Sequence, residues 1–358
     1  MRAVVVERPN VIDLRKFDLP RIGADDVLIE SRAVGICRTD VKILRGEVPL
    51  SLVEYPCILG HEWSGVVAKL GKNVRDLSVG TPVIAEGRIP CRQCAACRAG
   101  VTNLCSAQQQ FGFNRPGGYA EFVAAPRAVV HRLGGRLSLE AAVLVEPASC
   151  VLRAFQRVAP APWDTIGVIG IGTLGSIAVR LARLWTSRPV LAYGIRNEEL
   201  DVARKLGADR AVNVADLDPE DETLRLTERG LDVVVETAGS PSAVELATRL
   251  VRPGGRVALL GIAGESSTLQ IPTDRLTRKD IVVAGTLSYT SATWSKALHL
   301  AESGLLELES LVTHRFSLAD FRKAIDLMDR PRSGVIKIVL QHQVPKDEAP
   351  RSSQSDHG

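Results

Sequence analysis

The amino-acid sequence predicts an α/β protein in two parts, a β-rich region followed by a doubly wound parallel sheet. Two observations carry that expectation. Residues 1 to about 110 hold β-branched runs broken by Gly, Pro and Asp, such as VLIESRAVG and GTPVIAEG, which read as short strands with frequent turns. From about Ile166 the period changes: TIGVIGIGTLGSIAVRLARLW is an apolar strand, a glycine turn and a helix with one apolar stripe.

The elements then follow in order. PVLAYG reads as a strand, NEELDVARKLG as a helix closed by Gly207, and AVNV and LDVVVETAG as strands. PSAVELATRLVRPGG reads as a helix with a Pro-Gly-Gly stop, and RVALLGI and IVVAGTL as further strands. This alternation is the pattern of a parallel sheet with helices on both faces. Beyond Ser288 the chain reads as helix, a strand at LVTHRFSL, helix, and a last strand VIKIVL. From about Val344 the tail is polar and proline-containing and is expected to be disordered.

With 358 residues the chain exceeds the size at which single cores stop growing, so two domains are expected. Hydrophobic residues at 45% and charged residues at 24% are ordinary for a globular protein, and the net charge of +4 is spread without a dense Lys/Arg block. Charge therefore gives no support to a nucleic-acid or membrane-surface role. The N-terminus MRAVVVERPN carries an apolar run of only four residues, too short for a signal peptide, and no later segment approaches transmembrane length. The expected compartment is the cytoplasm. There the seven cysteines are ligands, nucleophiles or core residues rather than disulfide partners.

Gly170-Ile-Gly172-Thr173-Leu174-Gly175 is a G-x-G-x-x-G turn between an apolar strand and a helix. The first glycine permits the tight turn, the second lets a pyrophosphate approach, and the third allows close helix–strand packing. The helix N-terminus attracts the anion. About twenty residues on, where NAD sites place an acid, stands Gly194, with Arg196 two residues later. Glycine leaves room for a 2′-phosphate and a guanidinium binds it bidentately, so NADP is expected over NAD. The alternative is that Arg196 is a solvated loop residue and the cofactor is NAD.

Cys91, Cys94, Cys97 and Cys105 are spaced C-x2-C-x2-C-x7-C, the pattern of a closed, structural four-thiolate zinc site. The spacing differs from the bacterial iron–sulfur run. A second, scattered set is Cys37 in GICRTD, His61-Glu62 after Gly60, and Glu146 in VEP. Taken singly, each has a structural explanation. Together they supply a thiolate, an imidazole and a carboxylate, the donor set of a catalytic zinc with an open fourth position.

Through GICRTD, GHEWSGVV, the four-cysteine lobe, GGYAEF, VEP, GIGTLG, VRPGGRVALLG and HRFSLADFRKAI, the chain closely resembles the zinc-dependent medium-chain dehydrogenase/reductase family over roughly residues 1 to 342. The resemblance implies a GroES-like β-rich catalytic domain at 1–150, with a zinc lobe at 88–108, split around a Rossmann cofactor domain at 151–287. Residues 288–343 would return to the catalytic domain, and 344–358 would form the tail. It implies Cys37, His61 and Glu146 as ligands of a catalytic zinc in the cleft, with Glu62 able to approach or ligate the metal. It also implies Asp40 as the residue orienting His61, Thr39 as the hydroxyl that relays the substrate proton, and cofactor contacts at Arg38 and Leu287.

Two departures stand out. Lys42 occupies the position of a relay histidine of the alcohol dehydrogenase branch and is given no catalytic role. Glu146 in its Glu-Pro step resembles the polyol, threonine and cyclitol branches, and Cys150 on the same helical face is read as a packing residue. The expected chemistry is reversible hydride transfer between a secondary alcohol of a polyol, sugar or cyclitol and NADP. A simple alcohol, an aldehyde or L-threonine is the alternative substrate, and a non-catalytic zinc- and nucleotide-binding redox sensor is the alternative of another class. A homodimer or homotetramer is the assembly the family suggests.

Overall fold

The structure is a computed structural model that describes residues 1–264, 266–330 and 334–342, and the tail expected at 344–358 lies outside them. The second part of the chain forms a six-stranded, all-parallel sheet. Its spatial order is Arg210–Asn213, Val190–Gly194, Ile166–Ile169, Leu231–Glu236, Val251–Leu259 and Val282–Gly285. This is the 3-2-1-4-5-6 order of a Rossmann fold, whose ligand crevice opens where the order reverses. That point lies between Ile166–Ile169 and Leu231–Glu236, which pair Ile169 with Glu236 at their carboxyl ends. Strands here are continuous apolar runs such as IGVI because helices cover both faces.

One sequence expectation is corrected. The helix Pro241–Leu250, capped by the Ser240 hydroxyl, ends before the Pro-Gly-Gly, and strand Val251–Leu259 begins at once. The pairing jumps from Leu231↔Val251 to Val233↔Arg256, so Pro253-Gly254-Gly255 forms a bulge within the strand, with Gly254 at φ 71°. A proline with no N–H to donate and a left-handed glycine suit a bulge as well as a helix stop.

The first part of the chain centres on the long strand Asp26–Ile36, which pairs antiparallel with Trp63–Leu70, Phe122–Pro126 and Lys337–Gln341. The last of these, with its parallel neighbour Val312–Ser317, brings the end of the described chain back into the first sheet. Helix Val145–Val158 joins the two halves. It runs through residue 150, buries Glu146 in its first turn, and packs on helices Thr173–Trp185 and Ser291–Glu302. No helix among the described residues is long and apolar enough to cross a membrane.

Candidate metal centres and cofactor cleft

Strand Asp26–Ile36 delivers Cys37 to the N-cap of helix Arg38–Arg45. The Cys37 amide donates to Asp40 Oδ2 at 2.8 Å, which fixes the turn and lodges Asp40 in the interior, 1% exposed. Thr39 Oγ1 lies 3.6 Å from Cys37 Sγ. His61 and Glu62 follow Gly60, whose φ of 96° turns the chain under the end of that strand. Gly35 makes room there: a Cβ at that position would sit 2.3 Å from Glu62 Oε2.

Cys37, His61 and Glu62 come together, with ligand atoms all within 4.8 Å of one another. Burial opposes a proton on His61, but Asp40 and Cys37 outweigh it and raise its pKa well above the usual range. Asp40 Oδ1 stands 3.5 Å from His61 Nδ1, on the side suited to orient the ring. The buried atoms His61 Nδ1 and Asp40 Oδ1 lack hydrogen-bond partners, and Glu62 Oε2 meets the Lys337 ammonium. A thiolate, an imidazole and a carboxylate with orphaned polar atoms around them fit a divalent zinc.

Glu146 is not part of that close trio but belongs to the same electrostatic cluster. Burial pushes its pKa up to about 7, Glu62 adds to the rise, and positive charge on His61, Lys337 and Arg88 opposes it. Cys150, one turn further, packs against the core shared by the two halves. Its thiol is raised well above the usual value, first by burial and then by Glu146.

The four lobe cysteines also converge within 4.8 Å. Cys91 Sγ and Cys97 Sγ are 4.0 Å apart, near the ~3.8 Å edge of a tetrahedron with Zn–S bonds of about 2.3 Å. Amides are aimed at the sulfurs: Cys91 N–H donates to Cys105 Sγ at 3.3 Å and Cys94 N–H to Cys91 Sγ at 3.4 Å. Backbone donors at Cys97 and Ser106 lower the Cys94 thiol to about 6, which favours its thiolate form. This donor set fits a closed zinc site.

In the nucleotide turn, Gly170 takes φ 86°, and a Cβ on Gly175 would meet the Gly170 carbonyl oxygen at 1.8 Å. Gly172, by contrast, faces open space, as the approach of a pyrophosphate requires. Thr173 donates to the Ile336 carbonyl and Leu174 packs on the core. A Cβ on Gly194 would meet its nearest neighbours, Leu200 and Ile171, at 3.3 Å or more. Arg196 is ion-paired to the buried carboxylate of Glu199. Arg38, exposed, lies 3.8 Å from Asp329 and close enough to Glu199 to act on its charge. Leu287 is exposed, and its carbonyl accepts from Asn103 Nδ2 at 2.9 Å. Lys42 Nζ donates across the cleft to the Ile262 carbonyl at 3.1 Å.

Three side chains at these sites escape sequence reasoning. Lys337, 2% exposed, pairs with Glu62, and its one visible signal is a lysine inside the apolar run VIKIVL. Tyr119 sends its hydroxyl to Asp40 Oδ2 at 3.5 Å. Glu199 reads as a surface position until its burial under Arg196 is seen.

Residues 23–135 match the alcohol dehydrogenase GroES-like domain, and residues 173–303 match the zinc-binding dehydrogenase domain. The chain is 31% identical to sorbitol dehydrogenase of Bacillus subtilis over 345 residues, covering 95% of this chain and 97% of that one. It is 33% identical to L-threonine 3-dehydrogenase of Vibrio cholerae over 338 residues, covering 92% and 95%. A Sinorhizobium meliloti crystal structure described as a zinc-binding dehydrogenase bound to NADP superposes with a TM-score of 0.89 at 29% identity, covering 95% and 98%. The chain belongs to the zinc-type alcohol dehydrogenases of the medium-chain dehydrogenase/reductase family, and it is an oxidoreductase.

Proposed function

We propose that the protein transfers a hydride between a secondary alcohol of a polyol, sugar or cyclitol and NADP. The observation that carries this reading is the convergence of Cys37, His61 and Glu62, with Glu146 close by, in a chain that also bears a glycine turn built for a pyrophosphate. In this reading Cys37, His61 and Glu146, the last in a Glu-Pro step, hold a catalytic zinc. Glu62 stands ready to join them, and the four lobe cysteines hold a second, structural zinc. When bound, zinc supplies Lewis acidity towards the substrate oxygen, and NADP+ supplies the hydride acceptor.

The chain's own residues do the rest. Asp40 holds the His61 ring, Thr39 accepts a hydrogen bond from the substrate hydroxyl and passes its proton outward, and the glycine turn seats the pyrophosphate. The carbinol carbon gives up its hydride and the hydroxyl its proton, leaving a ketone. NADP is favoured because Gly194 presents no carboxylate and Arg196 stands two residues on, its guanidinium steadied by Glu199. Arg38 and Leu287 are assigned to the cofactor.

Strand membership supports a catalytic domain of 1–150 with 288–343 around a cofactor domain of 151–287. The working form is taken as a cytoplasmic homodimer or homotetramer. L-Threonine is the second substrate reading, favoured by the 33% identity to threonine dehydrogenase.

The test is a panel of polyols, cyclitols, simple alcohols and L-threonine with NADP+ and NAD+, followed at the nicotinamide absorbance. It is paired with metal analysis, where about two zincs per chain are expected. Cys37→Ala and His61→Ala abolish turnover and leave the lobe metal in place, whereas a variant that loses zinc but stays active overturns the reading. Gly194→Asp shifts preference towards NAD, and an unchanged NADPH/NADH ratio overturns the cofactor assignment.

A further inference from the structure

Arg88 follows Gly87, and Gly87 lies directly against the metal cluster. A Cβ on Gly87 would touch the His61 carbonyl oxygen at 2.8 Å, and its amide donates to the buried Tyr289 hydroxyl at 2.8 Å. The short strand Arg88–Ile89, paired with Gln109–Gln110, therefore starts beside the metal ligands. The Arg88 guanidinium is half-buried, and Nη1 donates to Gln108 Oε1 at 2.8 Å.

Among the described residues no carboxylate forms an ion pair with it, although nineteen other arginines do pair within 4.0 Å. Its positive charge nevertheless acts on the buried Glu146, Cys150 and Tyr289. A guanidinium has five donors in a planar fork, and the neutral Gln108 oxygen satisfies one of them. The remaining donors of the fork favour an acceptor with two anionic oxygens, and a neutral polyol leaves them unsatisfied.

We propose that Arg88 recognises an anionic group on the substrate, so that the secondary alcohol oxidised beside Cys37, His61 and Glu146 carries a phosphate or a carboxylate. This rests on the dehydrogenase reading above and narrows it. Gln108 is the positioning residue: it belongs to the cysteine lobe and aims the fork. The shared chemistry is a group with two anionic oxygens at bidentate spacing.

The experiment uses the zinc-loaded full chain and matched substrate pairs: sorbitol with sorbitol 6-phosphate, and 2,3-butanediol with 3-hydroxybutyrate. The wild type prefers the charged member of at least one pair, the phosphate pair or the carboxylate pair identifying the source of the anion. In Arg88→Gln the charged-to-neutral ratio of kcat/KM falls about ten- to a hundredfold, and Arg88→Lys recovers part of it. Zinc content and the thermal midpoint show that each variant is folded, and Gln108→Ala lowers the same ratio if Arg88→Gln does not fold. A wild type that favours the neutral member of both pairs overturns the proposal. So does a variant in which both members of a pair lose equally, or in which only the cofactor KM changes. If no alcohol of either kind is oxidised by the loaded wild type, the dehydrogenase reading fails and this one falls with it; neutral turnover alone sinks only the anion.

Discussion

Lys337 and Glu62 form an ion pair whose side chains are each 2% exposed, 275 positions apart in sequence. Lys337 also donates to the Ile36 carbonyl at 3.2 Å. Replacing Lys337 with Met keeps the apolar stem and deletes the charge, which leaves the Glu62 carboxylate buried and uncompensated. Breaking a buried pair from one side costs about 3–5 kcal/mol. At about 2–4 °C per kcal/mol for a domain of about 200 residues, the midpoint falls by roughly 6–20 °C. The double variant Lys337→Met with Glu62→Gln removes both charges and recovers most of that loss. The loss is larger in chelator-treated protein than in zinc-loaded protein, because a cation held by Cys37 and His61 offsets the stranded carboxylate. Calorimetry on the four members of the cycle, with and without zinc, measures this. A single variant that loses less than about 1 kcal/mol refutes the reasoning, and so does a double variant no better than the single one.

Cys94→Ser removes about one metal per chain and destabilises the protein by more than about 4 kcal/mol, read by metal analysis and calorimetry; retention of full metal content goes against the lobe assignment. Gly175→Ala drives a methyl into the Gly170 carbonyl, costing about 1–3 kcal/mol of stability and weakening cofactor binding. Gly172→Ala meets open space, so it weakens cofactor binding with little change in midpoint, and fluorescence titration beside melting curves separates the two. His342 is buried against the Gly118 carbonyl, and burial pushes its pKa down to about 4. The unfolded chain binds this proton below about pH 6.5 while the folded chain refuses it, so stability is full above that pH and falls by about 3 kcal/mol on the way to pH 4. His342→Gln flattens that part of the stability profile, and an unchanged slope assigns it to other groups.

What could be read from the sequence was local. The glycine turn and the four-cysteine lobe each fit within about fifteen residues, and in both the backbone geometry follows from the spacing. The strand that opens with Val251 was missed at its start because Pro253-Gly254-Gly255 signals a helix stop and a bulge with the same residues. Around the metal ligands the difficulty is distance along the chain. Cys37, His61, Glu146 and Lys337 meet only after three separate segments have joined a sheet, and no periodicity reports which of two carboxylates stands nearer the thiolate. Family resemblance pointed to Glu146 as a ligand with Glu62 able to join it, and Glu62 is the carboxylate in the close trio. Arg88 and Glu199 carry still less signal, because a charged residue looks solvated until its surroundings are built.

The cysteine lobe also bears on the place where the chain returns from the Rossmann sheet. Asn103 donates to the Leu287 carbonyl, and Thr102 accepts from the Ser291 amide at 2.9 Å, so two residues of the lobe pin both ends of a five-residue crossover. A metal held by the four cysteines would therefore also brace the two residues that anchor this crossover. Shortening or replacing the lobe in an engineered variant would then also free both ends of the segment that leaves the cofactor sheet.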